Sequence, residues 1–299
     1  MGQAPCLRPA LSRPDPQEEG QQPERLPRGS CTVRESATIQ KMDPKAIRHP
    51  RRPSDSPDFY DLIAPIYDRH WGRAFFSSAA RLFRHYAAPR IPARGRVLDL
   101  CCGSGRFASF LSRAGYRVTG VDSSPALLEK AAARTPSARF VQADMCRFQL
   151  ADTFDAAVCW FNSLNHAEDE QQLAAIFACV ARHLAPAAPF LFDLIPEEDY
   201  RCSWESEECV LAAEGVYELT YSYWPEDKVA SCRARMRSRL DPARIQAEAV
   251  SVQRPLDLEA VARALHDAGF RLLLEKPLDG SHPPHGRHLV LAEHDRPSH

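Results

Sequence analysis

Arg96-Val-Leu-Asp-Leu-Cys-Cys-Gly-Ser-Gly-Arg-Phe-Ala108 is the stretch on which the fold turns. An apolar strand runs into a glycine-rich turn and then a helix, and Gly103 and Gly105 let backbone come close to a ligand. By itself the turn satisfies the dinucleotide fingerprint GxGxxA over 103–108, which is weak. Downstream, apolar runs at 118–121, 140–141, 156–160 and 190–194 alternate with helical patterns. Leu173, Ile176, Phe177, Val180 and Leu184 form the stripe of a helix packed on a sheet. This alternation predicts a Rossmann-like, doubly wound, mostly parallel α/β sheet, which binds ligands at the carboxyl ends of its strands.

Three carboxylates narrow the ligand. Asp99 ends the first strand, Asp122 the second, seventeen residues past Gly105, and Asp144 the third. Asp122 is placed to accept from both ribose hydroxyls, Asp144 from an exocyclic amine. A nicotinamide cofactor also brings a pyrophosphate, which Asp99 before the turn would repel. A ribose, an adenine and a net positive charge suit three acids better, and S-adenosylmethionine has all three without a phosphate. The competing reading of each Asp is a helix cap, strongest for Asp122 because Ser123, Ser124 and Pro125 form a helix start.

The rest of the chain bounds the classes. Its 299 residues carry 38 Lys+Arg against 39 Asp+Glu, a net charge of −1, and 44% hydrophobic residues. Near-zero charge argues against a generic nucleic-acid binder, and no apolar run reaches bilayer length. Ten cysteines form no CxxC pair, which points to reduced thiols and a cytoplasmic protein. Ten of the 25 prolines lie at or before Pro57. Residues 1–57 therefore read as a disordered arm, with Met42 as a second possible start. Asp15, Glu18, Glu19 and Glu24 argue against a mitochondrial presequence, and Cys6 breaks the myristoylation pattern. Residues 58–299 form the expected domain.

Val97-Leu-Asp-Leu-Cys-Cys-Gly-Ser-Gly105, Val118-Thr-Gly-Val-Asp122 and Val141-Gln-Ala-Asp144 resemble the first three motifs of class I S-adenosylmethionine-dependent methyltransferases. Phe154-Asp-Ala-Ala-Val-Cys-Trp-Phe-Asn162 resembles the fourth, 184–193 the strand-five region, and Leu265-His-Asp-Ala-Gly-Phe270 the helix before the last two strands. The resemblance covers about 59–293 and is nearest the small-molecule branch, which includes glycine and amino-sugar N-methyltransferases. It implies a seven-stranded sheet, S-adenosylmethionine as methyl donor and S-adenosylhomocysteine as product. It places the turn from Cys101 through Gly103 to Gly105 under the methionine moiety and Asp99 near its amino group. Asp122 then holds the ribose and Asp144 the adenine amine, with Met145 on the ring edge. Tyr67, in Tyr60-Asp-Leu-Ile-Ala-Pro-Ile-Tyr-Asp68, matches a tyrosine near the methionine end, and Ser123 and Phe161 complete the implied contacts. Cys101 replaces a usual glycine, and Ala187-Ala188 replace a Gly-Gly where positive φ is costly.

Catalysis is expected at the end of strand four, Trp160-Phe-Asn-Ser-Leu-Asn-His166. Asn162, Asn165 and His166 could line an acceptor pocket, with His166 as the base; the competing reading is that Asn165 and His166 cap the next helix. The segment is no Asn-Pro-Pro-Tyr motif, and paired glutamates for protein-arginine methylation are lacking. Residues 207–254 alternate with period 2 and predict an antiparallel β insertion capping the active-site mouth. In it Tyr217, Leu219, Tyr221 and Tyr223 share one face, Pro225-Glu-Asp-Lys228 turns, and Arg233, Arg235, Arg237 and Arg239 form a row. That row reads first as a solvated face, second as a selector of an anionic acceptor or RNA. His282, His285 and His288 flank two prolines, so no metal site is expected. The reading is methyl transfer to a small-molecule oxygen or nitrogen by a monomer or homodimer. Its rivals are an NAD(P)-dependent oxidoreductase, a catalytically silent cofactor-binding regulator, and a nucleic-acid methyltransferase.

Overall fold

The computed structural model describes residues 58–241, 243–278 and 287–295. The arm expected over 1–57, with Met42, and the residues His282 and His285 lie outside the described residues. Two helices come first, α1 (Phe59–His70) and α2 (Gly72–Tyr86). The alternating part follows as β1 (Arg96–Leu100), α3 (Arg106–Arg113), β2 (Arg117–Asp122), α4 (Pro125–Arg134) and β3 (Arg139–Gln142). It continues with β4 (Ala156–Cys159), α5 (Glu170–Ala181), β5 (Pro189–Leu194) and α6 (Glu197–Ser203). Four strands come next, β6 (Ser206–Leu211), β7 (Val216–Trp224), β8 (Val229–Arg237) and β9 (Ile245–Gln253). The described elements end with α7 (Leu258–Asp267), β10 (Phe270–Pro277) and β11 (His288–His294).

The main sheet has seven strands in the order β10-β11-β5-β4-β1-β2-β3. It is parallel from β5 to β3, while β11 runs antiparallel to both β5 and β10. Strands β4 and β5 are buried along their whole length, which is why they read as continuous apolar runs. The stripe of α5 behaves as its spacing predicts: Leu173, Ile176, Phe177 and Val180 are buried on Phe190 and Phe192. On the other face Phe83, Phe107, Phe110 and Trp160 pack over Val97 and Val158. The chain leaves β1 toward β2 and β3, then returns to β4 on β1's other side, which opens a crevice at the carboxyl ends of β1 and β4.

Two non-glycine residues adopt the left-handed backbone where the sequence put a side chain in place of glycine. Cys101 has φ 55° and Ala187 φ 65°, each at a cost of about 1 kcal/mol. Neither disrupts the fold: Ala187 donates its N–H to the His294 carbonyl at 2.9 Å.

The insertion is a separate antiparallel sheet ordered β6-β7-β8-β9. Its inner face, with Tyr217, Leu219, Cys232, Ala234 and Ala249, packs on Phe59, Leu62, Ile63 and Ile66 of α1. The arginine row is shorter than expected, because β8 ends at Arg237 and Arg239 lies exposed beyond it. Arg235 pairs with Glu248 at 2.6 Å and Arg237 with Glu218 at 2.8 Å. Arg233 lies 3.8 Å from the same Glu248. Cross-strand glutamates match the guanidiniums, so the row is spent within the sheet, and with the Arg233 side chain only 14% exposed it is not the solvated face expected.

Candidate functional site

A cavity of about 1140 Å³ lies at the carboxyl ends of β1 to β4, walled by α1 and roofed by the antiparallel sheet. It exceeds what one drug-sized ligand needs. Helix α1 is fixed to the glycine turn by its acids. Asp61 accepts from the Ser124 hydroxyl at 2.5 Å and the Ala126 N–H at 3.2 Å. Asp68 accepts from the Ser104 hydroxyl at 2.5 Å, Arg106 Nε at 2.9 Å and Arg134 Nη2 at 2.5 Å. Burial raises the Asp68 carboxyl, but hydrogen bonds from Arg134 and Ser104 outweigh it and hold it below its usual range. Arg106 and Arg134, the cations nearest the turn, are thus committed to Asp68.

Of the residues expected to hold a cofactor, Tyr67, Cys101, Gly103, Asp122, Ser123, Asp144, Met145 and Phe161 all line the cavity. At Gly103, φ is 54° and an added Cβ would come within 3.5 Å of the Tyr67 ring. Asp122 accepts from the Gly103 N–H at 2.8 Å through one oxygen and from the Ser124 N–H at 2.9 Å through the other. It therefore organises both the turn and the start of α4, while Ser124 is the helix cap proper, accepting from the Leu127 N–H at 3.1 Å. Burial raises the Asp122 carboxyl against those backbone bonds. Asp144 is exposed at the rim, accepting from the Cys146 N–H at 2.8 Å and pairing with Arg147 at 3.2 Å.

Two expected contacts are not in the wall. Gly105 faces Ala131 of α4, where an added Cβ would meet the alanine at 2.7 Å. Asp99 lies beneath the turn, 2% exposed. Burial, reinforced by Asp122, pushes its carboxyl up to about 8. The unfolded carboxyl ionises near 3.9, so the folded chain holds an extra proton between about pH 4 and 8 and loses stability as pH rises through that window. Asp99→Asn removes this slope. We expect the ligand-free variant to gain Tm at pH 8 relative to the parent, with little gain at pH 4; equal shifts at both pH values would contradict the assignment.

At the end of β4, Phe161 and Asn162 both take the left-handed backbone, with φ 68° and 48°. A buried network holds them there. Asp193, at the end of β5 and fully buried, accepts from the Asn162 N–H at 3.0 Å and from Arg287. Arg287 also donates to Asn162 Oδ1 at 2.7 Å. Asn162 Nδ2 donates to Gln253 Oε1 at 2.8 Å, which also accepts from the Tyr200 hydroxyl at 2.8 Å. With both donors on its oxygen, the Gln253 amide turns its nitrogen toward His166 Nε2, 3.2 Å away.

Asn165 does not reach the cavity. Its Oδ1 accepts from the Ile195 N–H at 2.9 Å, and its Nδ2 donates to the carbonyls of Ile195 at 2.8 Å and Arg254 at 2.7 Å. Every polar group of the side chain is spent on joining β5 to the segment after β9, so it is a clamp. Asn162 and His166 do line the cavity. His166 Nδ1 lies 2.8 Å from the Val252 carbonyl, an acceptor only, so Nδ1 carries the proton. Nε2 is then an acceptor and receives the Tyr60 hydroxyl at 2.7 Å. Burial lowers the His166 pKa below its ordinary value, against the Val252 bond, and burial raises Tyr60. Sequence reasoning missed Tyr60, Asp193, Gln253 and Arg287. Only Tyr60 carried a signal, seven residues before Tyr67 and so on the same face of a helix.

A family model described as "Methyltransferase domain" matches residues 97–187, the span holding the glycine turn, Asp122, Asp144 and the β4 end. The dTDP-3-amino-3,4,6-trideoxy-alpha-D-glucopyranose N,N-dimethyltransferase of Streptomyces venezuelae is 29% identical over 133 residues, 44% of this chain and 54% of that protein. Residues 97–187 thus match a methyltransferase domain, and the chain is similar in sequence and fold to S-adenosylmethionine-dependent methyltransferases. Its matched region spans about half the length of the curated relatives. The chain is alike in fold to an S-adenosylmethionine-dependent methyltransferase of Clostridium acetobutylicum. Their TM-score is 0.66 at 18% identity, over 79% of this chain and 99% of that one. It also resembles in fold the sugar N-methyltransferase KedS8 of Streptoalloteichus, with TM-score 0.64 at 23% identity, over 80% and 94% of the two chains.

S-adenosylmethionine, the methyl donor of the proteins this chain resembles, suits the site. One Asp99 oxygen is buried beneath the turn with no hydrogen-bond partner among the described residues, and Asp122 and Asp144 place two acids in the wall beside the turn, which a cationic ligand suits better than a pyrophosphate. Among the described residues no helix is long and apolar enough to cross a membrane.

Proposed function

We propose that this chain transfers a methyl group from S-adenosylmethionine to a nitrogen or oxygen of a small molecule, with the antiparallel sheet closing the acceptor end of the cavity. The observation that carries the reading is the continuity of one cavity from Asp122 and Asp144 to Tyr60 and His166. When bound, S-adenosylmethionine supplies a methyl carbon on a sulfonium, and the acceptor's lone pair forms the new bond as the carbon–sulfur pair stays on sulfur. Asp122 would hold the ribose through lone pairs its backbone bonds leave open, Asp144 and Met145 would meet the adenine, and Tyr67, Cys101, Gly103, Ser123 and Phe161 would enclose the rest. The amine chemistry of the Streptomyces venezuelae relative supports nitrogen as the atom methylated.

The chain's own contribution is alignment, water exclusion and one proton transfer. Tyr60 donates its hydroxyl proton to His166 Nε2, and its oxygen, which the Ser251 side chain also hydrogen-bonds, is the acceptor offered toward the cavity. An acceptor N–H or O–H bonded there has its lone pair turned away from Tyr60. As the acceptor gives its proton to the Tyr60 oxygen, the tyrosine proton moves to His166, and the imidazolium keeps its bond to Val252. His166 is thus the terminal base and Tyr60 the contact with the acceptor.

The test is transfer of labelled methyl to a panel of amino sugars and small alkylamines. Tyr60→Phe should lower kcat by about a hundredfold with S-adenosylhomocysteine affinity unchanged within about twofold. A variant of unaltered kcat removes Tyr60 from the mechanism. The dehydrogenase alternative leaves Asp144 without a role. The silent-regulator reading required Asn162, Asn165 and His166 to be buried with no pocket beside them; Asn165 is so buried, while Asn162 and His166 line the cavity. Ten cysteines spread along the chain without a CxxC pair support a reducing, cytoplasmic setting.

A further inference from the structure

Aromatic side chains run along the cavity wall from its rim to the reacting end. Trp204 stands edge-on to Tyr221, 5.5 Å between centroids. The Trp71 side chain hydrogen-bonds the Tyr221 hydroxyl and lies 5.9 Å from the Tyr67 ring. Tyr67 in turn lies 6.4 Å from Phe161 and 6.3 Å from Tyr60. All six line the one cavity. Helix α1 sets the span, since Tyr60 and Trp71 are eleven residues apart, roughly 16 Å along its axis.

The wall's charge is one-sided. Eight carboxylates line the cavity against two arginines and no lysine among the described residues. Arg287 is committed to Asp193 and Asn162, so it does not offset the acids at the rim. Glu208, on the strand next to Tyr221, is 42% exposed and pairs with His70 at 2.6 Å. His70 is itself edge-on to Trp71 at 4.4 Å. A carboxylate thus sits beside two indoles and a phenol. Aromatic faces attract a cation through their quadrupole, and a nearby carboxylate adds Coulomb attraction. Low-dielectric walls of one sign concentrate opposite charge. A phosphate or carboxylate beside Glu208 would meet like charge, and of the two lining arginines Arg254 alone has no acid paired with it among the described residues.

Resting on the methyl-transfer reading, we propose that the acceptor carries an ammonium group, held at the rim by Trp71, Trp204, Tyr221 and Glu208, while its nucleophilic atom reaches Tyr60. The same excess of acids selects against acceptors bearing phosphate. Trp204 and Glu208 are then specificity residues for the acceptor.

The experiment uses the full chain. S-adenosylhomocysteine is titrated first, and choline, its uncharged isostere 3,3-dimethylbutan-1-ol, and phosphocholine are titrated into the saturated protein, with tryptophan fluorescence as a second readout. Choline should bind about tenfold more tightly than the isostere, and phosphocholine no better than the isostere. The preference for choline should shrink at least about threefold in Trp204→Leu and in Glu208→Gln; the second variant changes an exposed residue and keeps the fold. Equal binding of choline and isostere, tighter binding of phosphocholine, or an unchanged preference in both variants overturns the proposal. If S-adenosylhomocysteine fails to bind, the methyl-transfer reading itself falls; if it binds and choline shows no preference, only the ammonium assignment falls.

Discussion

Asp122→Ala should weaken S-adenosylhomocysteine binding by about a thousandfold, because three sets of contacts end at one carboxylate. The side chain would hold the ribose hydroxyls, and it already takes the Gly103 N–H at 2.8 Å and the Ser124 N–H at 2.9 Å. Removing it frees the glycine turn from β2 and leaves two half-buried N–H groups to find water. Hydrogen bonds to a charged group contribute about 1.5–3 kcal/mol each, so losing both ribose contacts alone costs about 3–6 kcal/mol of binding. Asp122→Asn retains the shape and one acceptor oxygen, and should lose less than the alanine variant. Calorimetric titration checks both. An alanine variant within tenfold of the parent would mean that the ribose sits elsewhere.

Asp193→Ala should destabilise the fold by about 3–5 kcal/mol, the usual cost of stranding a buried charge. Asp193 is fully buried and Arg287 is 8% exposed, so the guanidinium left behind loses the carboxylate that balances its charge, while it keeps Asn162 and the Phe161 ring, 5.6 Å from its centre. Asn162 also loses the acceptor for its N–H, which releases the left-handed pair Phe161–Asn162 from β5. Adding Arg287→Met removes the stranded charge, so the double variant should be more stable than Asp193→Ala alone. Denaturant midpoints measure this directly. Additive losses in the double variant would show that the two residues act independently and that the pair is no keystone of the β4 end.

The sequence made the sheet legible because its central strands, buried on both faces, have no reason to alternate, and because a helix on a sheet repeats every 3.6 residues. The cavity wall at the glycine turn was legible for a related reason. Glycine at Gly103, an acid at the end of β2 and another just past β3 are local features whose positions follow once the strands are placed. Asp99 shows the limit of that logic: a carboxylate at a strand end can point beneath a turn rather than into it, and burial decides which. The acceptor half resisted reading because its parts come from distant segments. Gln253 on β9 and Arg287 before β11 meet Asn162 across 91 and 125 residues, and no spacing rule connects them. Asn165 and His166, adjacent in sequence, part ways: one backbone-clamping amide and one cavity-lining imidazole. The arginine row misled by one residue and by its partners, since Glu218 and Glu248 become its neighbours only when the strands pair.

The most direct test of the account is calorimetric titration of S-adenosylhomocysteine into the protein, with NADH in a parallel cell. Micromolar binding of the nucleoside and none of NADH is the result predicted from the acid-lined, phosphate-averse turn. NADH binding with no response to S-adenosylhomocysteine would contradict it.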